Sequence, residues 1–177
     1  AAVTNRVVED EFCWQRYHHG GRPLFYEVAP RDVAAQRARL HDAIDEAVRR
    51  QATVLVLPEL CATQALADEL TTSGRLAPLP LVALGSFHEA TAPATPGRNR
   101  CRVLARGVEL ITHDKFSDFH LEDAGDAPGD PAVRRHEHLI ADDATAGFDL
   151  LISAANAVVV LICKDALDAR VAALVQE

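Results

Sequence analysis

The sequence contains no methionine, and its four cysteines lie far apart. Cys13, Cys61, Cys101 and Cys163 form no CxxC pair and sit in no short secreted context. That excludes a disulfide framework or a zinc ribbon and leaves four reduced thiols to be judged singly. No apolar run reaches the roughly 18 residues of a membrane span. The longest candidate, from Leu150 to Cys163, is interrupted by Ser153 and Asn156. The opening AAVTNRVVEDEF places acids where a signal peptide carries its apolar stretch. Basic residues are short as well, with 18 Lys and Arg against 26 Asp and Glu for a formal charge of −8. Binding a phosphate backbone irrespective of sequence needs a basic face, so neither nucleic acid nor a membrane is an expected partner. The expectation is a cytoplasmic protein. There are no internal repeats and no low-complexity tracts. The missing methionine, and an end at Gln176-Glu177 inside an amphipathic pattern with no Gly or Pro stop, lead us to expect a piece of a longer chain.

What is present suffices for a core. The 177 residues are 49% apolar and 25% charged, outside the range of disordered chains. A domain of this size buries roughly 70% of its unfolded surface. Residues 1–30 read as an irregular N-terminal segment with a short extended stretch at 23–28, and residues 31–177 as one α/β domain. Asp32 is a helix N-cap by residue type, and Val33, Leu40, Ile44 and Val48 recur at helical spacing, which predicts a helix over 32–50. The period then changes. Thr53 to Leu57 is a continuous apolar run closed by Pro58, the pattern of a strand buried on both faces. A short helix is expected over 64–71 and a buried strand over 81–87. Strands 101–105 and 108–112 flank Arg106-Gly107, a hairpin turn. The polar stretch 113–135 reads as a long functional loop. Apolar strands at 148–152 and 157–162 precede a helix over 165–176. Such alternation indicates a layered α/β sheet with helices outside.

Three chemically capable residues stand at strand ends. Glu59 follows the first apolar run, Lys115 follows 108–112, and Cys163 follows 157–162. In open α/β sheets, sites assemble outside the carboxyl ends of strands. A carboxylate, an ammonium and a thiol make a base, an oxyanion stabiliser and a nucleophile. Metal ligation by His113, Asp114, His120 and their acidic neighbours matches no ligand spacing, and a solvated loop is the reading we prefer for that stretch.

The motifs VLVLPEL at 54–60, ITHDKF at 111–116 and VVVLICKDA at 158–166 resemble the three signatures of the nitrilase (carbon–nitrogen hydrolase) superfamily. GSF at 85–87 and Asn99 ahead of Cys101-Arg102-Val103-Leu104 add to the resemblance, which covers about residues 38–175. It implies a nitrilase-like α-β-β-α sandwich, incomplete at the C-terminus, and a catalytic triad of Glu59, Lys115 and Cys163. It also implies a second glutamate beyond the lysine, for which Glu122 is preferred over Asp123 by residue type. The backbone N–H of Lys164 would be an oxyanion donor. The implied activity is hydrolysis of a non-peptide amide, carbamoyl or nitrile bond through a cysteine thioester, with no metal and no cofactor. A small-molecule substrate is then the partner, and its identity is not legible. A homo-oligomer is expected, because the helix over 165–176 is apolar on more than one face. Lys164 stands where the family often has an aromatic residue, and the segment after Asp165 departs from the family pattern. These departures motivate a second reading, a weak or inactive nitrilase-like domain serving as a ligand-binding, sensor or interaction module.

Overall fold

The computed structural model describes residues 12–19, 22–89, 98–117, 119–123, 131–137, 150–152, 154 and 157–167. Helix α1 spans Val33–Arg49, and the Asp32 carboxylate accepts from the Ala35 N–H at 2.9 Å, the cap that residue type predicted. Strand β3 (Val54–Val56) follows, then helix α2 (Gln64–Thr72), capped by the Thr63 hydroxyl. Strands β4 (Leu81–Glu89), β5 (Arg98–Ala105) and β6 (Val108–Asp114) complete a four-stranded sheet in the order β3-β4-β5-β6. β3 and β4 are parallel, and the other neighbours are antiparallel. At the β5–β6 turn both Arg106 (φ 50°) and Gly107 (φ 80°) adopt positive φ. That is the type I′ geometry whose twist matches its flanking strands.

Both helices lie on one face of this sheet. Leu40 and Ile44 of α1 and Leu66 and Leu70 of α2 pack into a core with Leu55 and Leu84. The opposite face is covered more thinly, by Val160 and Ile162 against Cys101 and Val103. β3 is therefore not buried on both faces as its apolar run suggested. Leu55 is buried, whereas Val54 and Val56 are 53% and 63% exposed. A strand with helices on one side needs apolar residues only there; Val54 and Val56 instead line the cavity described below.

A second sheet corrects two expectations. Strands β1 (Phe12–His19) and β2 (Arg22–Pro30) occupy most of the segment read as irregular. β7 (His120–Asp123) and β8 (Val133–Glu137) occupy parts of the stretch read as a loop. Their order is β1-β2-β8-β7, with β2 and β8 parallel. A register shift at Gln15/Arg16 breaks the alternation of β1, and β8 buries Arg135 and Glu137 where a strand would ordinarily bury apolar side chains. Neither strand carries the period-2 hydrophobic signal. A short antiparallel pair, β9 (Leu150–Ile152) and β10 (Ala157–Val159), leads to a 3₁₀ turn at Cys163–Leu167. Of the helix expected over 165–176, residues 165–167 belong to this 3₁₀ turn, and the remainder, on which most of the oligomer expectation rested, lies outside the described residues. Among the described residues no helix is long and apolar enough to cross a membrane.

Candidate active site

Glu59 is held by the strand next to its own. β3 ends with the Leu57 N–H bonded to the Ala83 carbonyl at 2.9 Å, and the chain then turns over β4 at Gly85. A Cβ on Gly85 would stand 2.1 Å from the Pro58 carbonyl oxygen and 2.7 Å from Cys61 Sγ, and its φ is +73°. Only glycine allows that approach. The turn is closed by the Leu60 N–H donating to Ser86 Oγ at 3.2 Å and by the buried Gln36 amide donating to the Cys61 carbonyl at 2.8 Å. The Gly-Ser of GSF thus sets the position of Glu59.

Lys115 continues the β5–β6 pairing by one residue, its N–H bonded to the Asn99 carbonyl at 2.8 Å. Its side chain is buried, and the ammonium lies between two carboxylates, 2.9 Å from Glu59 Oε1 and 2.7 Å from Glu137 Oε2. The Asn99 amide bridges the same two acids, donating to Glu59 Oε1 at 3.1 Å and to Glu137 Oε1 at 2.7 Å. The His88 ring completes the set. Its Nδ1 accepts from the Val28 N–H at 3.0 Å, so the ring proton sits on Nε2 and is donated to Glu137 Oε1 at 3.3 Å. His88 is therefore a neutral donor. Burial alone would raise the Glu137 carboxyl, but the hydrogen bond from His88 and the Lys115 charge outweigh it and hold the group below its ordinary value. For Lys115, burial acts downward, and the two carboxylates overcome it, so the ammonium is held above its ordinary value.

Glu122 has no place in this cluster. It stands exposed on β7, paired with Arg134 at 3.0 Å. The carboxylate that meets Lys115 beside Glu59 is Glu137, on strand β8, which pairs with β2. Its sequence context, His136-Glu137-His138, invites a metal reading and gives no hint of a lysine partner 22 positions earlier. The solvated-loop reading is also overturned for His113 and Asp114, which end β6, and for His120, which opens β7. His113 is buried on β6, and Asp114 is engaged by Arg98 and Arg100.

Cys163 opens the 3₁₀ turn with φ +51° and an exposed side chain. A non-glycine residue in the left-handed region is uncommon, and such strain concentrates at functional turns. Cys163 and Glu59 line one cavity of about 330 Å³. Its other walls come from β3, β4, β5 and the segment 158–162, and they are mainly apolar, including Val54, Val56, Val103 and Ile162. Among the described residues, neither 61–75 nor 116–135 contributes to its lining. Lys164 follows in the same 3₁₀ turn. Cys61 and Cys101 are buried, and burial pushes both thiols up to about 12, too high for a nucleophile at neutral pH. Among the described residues no group of three or more His, Cys, Asp or Glu is arranged to hold a metal ion.

The structure thus joins Glu59 directly to Lys115, sets Glu59 and Cys163 on one cavity, and leaves Glu122 outside. Comparison with protein-family models and with curated proteins finds no match for this chain. Its function must be read from the residues themselves.

Proposed function

We propose that the chain is a carbon–nitrogen hydrolase of the nitrilase type, with a nitrilase-like architecture in which the β3–β6 sheet and its two helices form one α-β half. The observation that carries this reading is Lys115, a buried ammonium clasped by two carboxylates, one of which opens onto a cavity that also bears an exposed, strained cysteine. Cys163 attacks the carbonyl carbon of an amide while Glu59 takes the thiol proton. The oxyanion is stabilised by the Lys115 ammonium and by the backbone N–H of Lys164. Glu59 returns the proton to the leaving amine or ammonia, which leaves a thioester on Cys163. Water then attacks the thioester, Glu59 accepts its proton, and the thiolate departs to release a carboxylic acid. Glu137 holds Lys115 in place. The apolar walls favour a substrate whose acyl group is uncharged and aliphatic, since burying a charge there would go uncompensated.

The test supplies aliphatic amides, carbamoyl compounds and nitriles, measures ammonia release, and weighs the protein for an acyl adduct on Cys163. Turnover and an adduct are expected for the parent and neither for Cys163→Ala. Equal behaviour of parent and variant would overturn the hydrolase. A binding or interaction module would then be favoured, in keeping with the exposed apolar side chains of Val54, Val56 and Ile152. The resemblance also carries a homo-oligomer, against which sedimentation as monomer alone at micromolar concentration would count.

A further inference from the structure

Asp165 takes no part in the steps above, yet it is fully buried beside the nucleophile. Its carboxylate accepts hydrogen bonds from three backbone N–H groups and a histidine ring. Oδ1 accepts from the N–H groups of Phe116 at 3.2 Å and Ser117 at 2.8 Å. Oδ2 accepts from the Ile162 N–H at 3.2 Å and from His113 Nε2 at 3.2 Å. Ile162 immediately precedes Cys163, whereas Phe116 and Ser117 immediately follow Lys115, and His113 lies two residues before it. The two segments meet on one side chain, though nearly fifty residues of sequence separate them.

Resting on the hydrolase reading, we propose that Asp165 is a positioning residue. Its carboxylate pins the turn that carries Cys163 to the loop that carries Lys115, so that thiol and ammonium keep one mutual geometry. Only a carboxylate suits the place. Only donors converge on it, and a carboxylate offers two acceptor oxygens and no competing donor. Asparagine in the same space would turn an N–H₂ toward one pair of donors and leave the buried Ile162 N–H or the 116–117 amides without an acceptor. Burial acts to raise the Asp165 carboxyl, and the bonds from His113 and Ser117 more than offset it, so the ionised form that the geometry needs is the one present. Displacements of about 1 Å far from the reacting atoms can cost about a hundredfold in rate, which is the scale on which a lost tether should register.

The experiment alkylates the full chain with iodoacetamide at pH 7 and maps the four cysteines by peptide mass, in the parent, Asp165→Asn and the milder His113→Leu. Exposed Cys13 is the reference, and buried Cys61 and Cys101 stay unlabelled while the fold holds. In the parent, Cys163 should label faster than Cys13. In Asp165→Asn that ratio should fall tenfold or more with Cys61 and Cys101 still protected, and in His113→Leu it should fall by less. With an amide substrate, kcat should fall in step while KM holds. If Asp165→Asn exposes Cys61 and Cys101, the fold itself has failed and the ratio in His113→Leu decides. A folded variant that keeps the parent's ratio overturns the positioning role and leaves the hydrolase standing. A parent that labels Cys163 no faster than Cys13 and turns over no amide removes both.

Discussion

Replacing Lys115 by methionine should reverse how stability depends on pH. The side chain keeps its approximate volume and loses its charge, and two carboxylates then face one another across the Asn99 amide. Both touch the same nitrogen, at 2.7 and 3.1 Å, so their oxygens lie within about 6 Å. Two unit charges at that separation repel by roughly 3 kcal/mol at an effective dielectric of about 20. Glu137 is buried, although it keeps His88 and Asn99. Removing one partner from a buried pair costs about 3–5 kcal/mol, a large part of the roughly 5–15 kcal/mol that holds a domain together. In the parent, Glu137 is held below its unfolded value of 4.5, so its contribution is complete above pH 4.5 and is lost as pH falls further. In Lys115→Met one of the two acids must retain a proton above pH 4.5, so the folded state binds more protons than the unfolded one and stability declines as pH rises. Urea unfolding of both proteins between pH 5 and 8 reads the difference. The deficit should reach about 3–5 kcal/mol at pH 8, shrink toward pH 5, and be largely recovered in Lys115→Met combined with Glu137→Gln. A deficit below about 1 kcal/mol, or one that does not change with pH, would refute the two-carboxylate clasp.

Gly85→Ala should cost about 2–5 kcal/mol in urea unfolding, since the new methyl strikes the Pro58 carbonyl at a backbone φ that disfavours alanine; wild-type stability would show that the Glu59 turn is not packed on β4. Glu122→Gln, at an exposed pair with Arg134, should change stability by no more than about 0.5 kcal/mol and leave turnover intact, whereas Glu137→Gln should abolish turnover; the reverse pattern would restore Glu122 to the site. Cys163→Ser should lower kcat by orders of magnitude, and Glu59→Gln should lower kcat with little change in KM. In acid, the depressed carboxyls of Asp114 and Asp165 contribute stability above their unfolded value of 3.8 that is lost as pH falls below it; a melting temperature unchanged from pH 4 to pH 2 would contradict both.

Much of the helix-bearing half was legible because its signals are local. Asp32 caps α1, Arg106-Gly107 makes the hairpin turn, and the runs at 54–56 and 81–87 bury leucines under two helices. The second sheet was not legible, for a physical reason. Local pattern reading assumes that buried faces are apolar, and β8 buries Arg135 and Glu137. The Glu137 charge is tolerable because Lys115, His88 and Asn99, from distant segments, meet it. The same assumption misassigned β3, where an unbroken apolar run turned out to serve a helix-packed face on one side and a cavity wall on the other.

Glu59, Lys115 and Cys163 announced themselves by ending strands, whereas Glu137, Asn99, His88 and Asp165 became visible only through what they touch. Their arrangement bears on the proposed chemistry. Among the described residues Glu137 receives three donors that favour its ionised form, while Glu59, bonded by Lys115 and Asn99, also faces the cavity. A lysine with a single carboxylate partner would lose its counterion whenever that acid took up a proton, and a buried ammonium without one is strongly disfavoured. With two carboxylates on one lysine, Glu59 can accept the thiol proton while Glu137 keeps the ammonium paired. The ammonium is then held charged and in place at the moment an oxyanion would form. The division of labour between the acids follows from exposure. In the proposed reaction the one that reaches the cavity would exchange protons, and the one sealed under His88 and Asn99 would hold the charge.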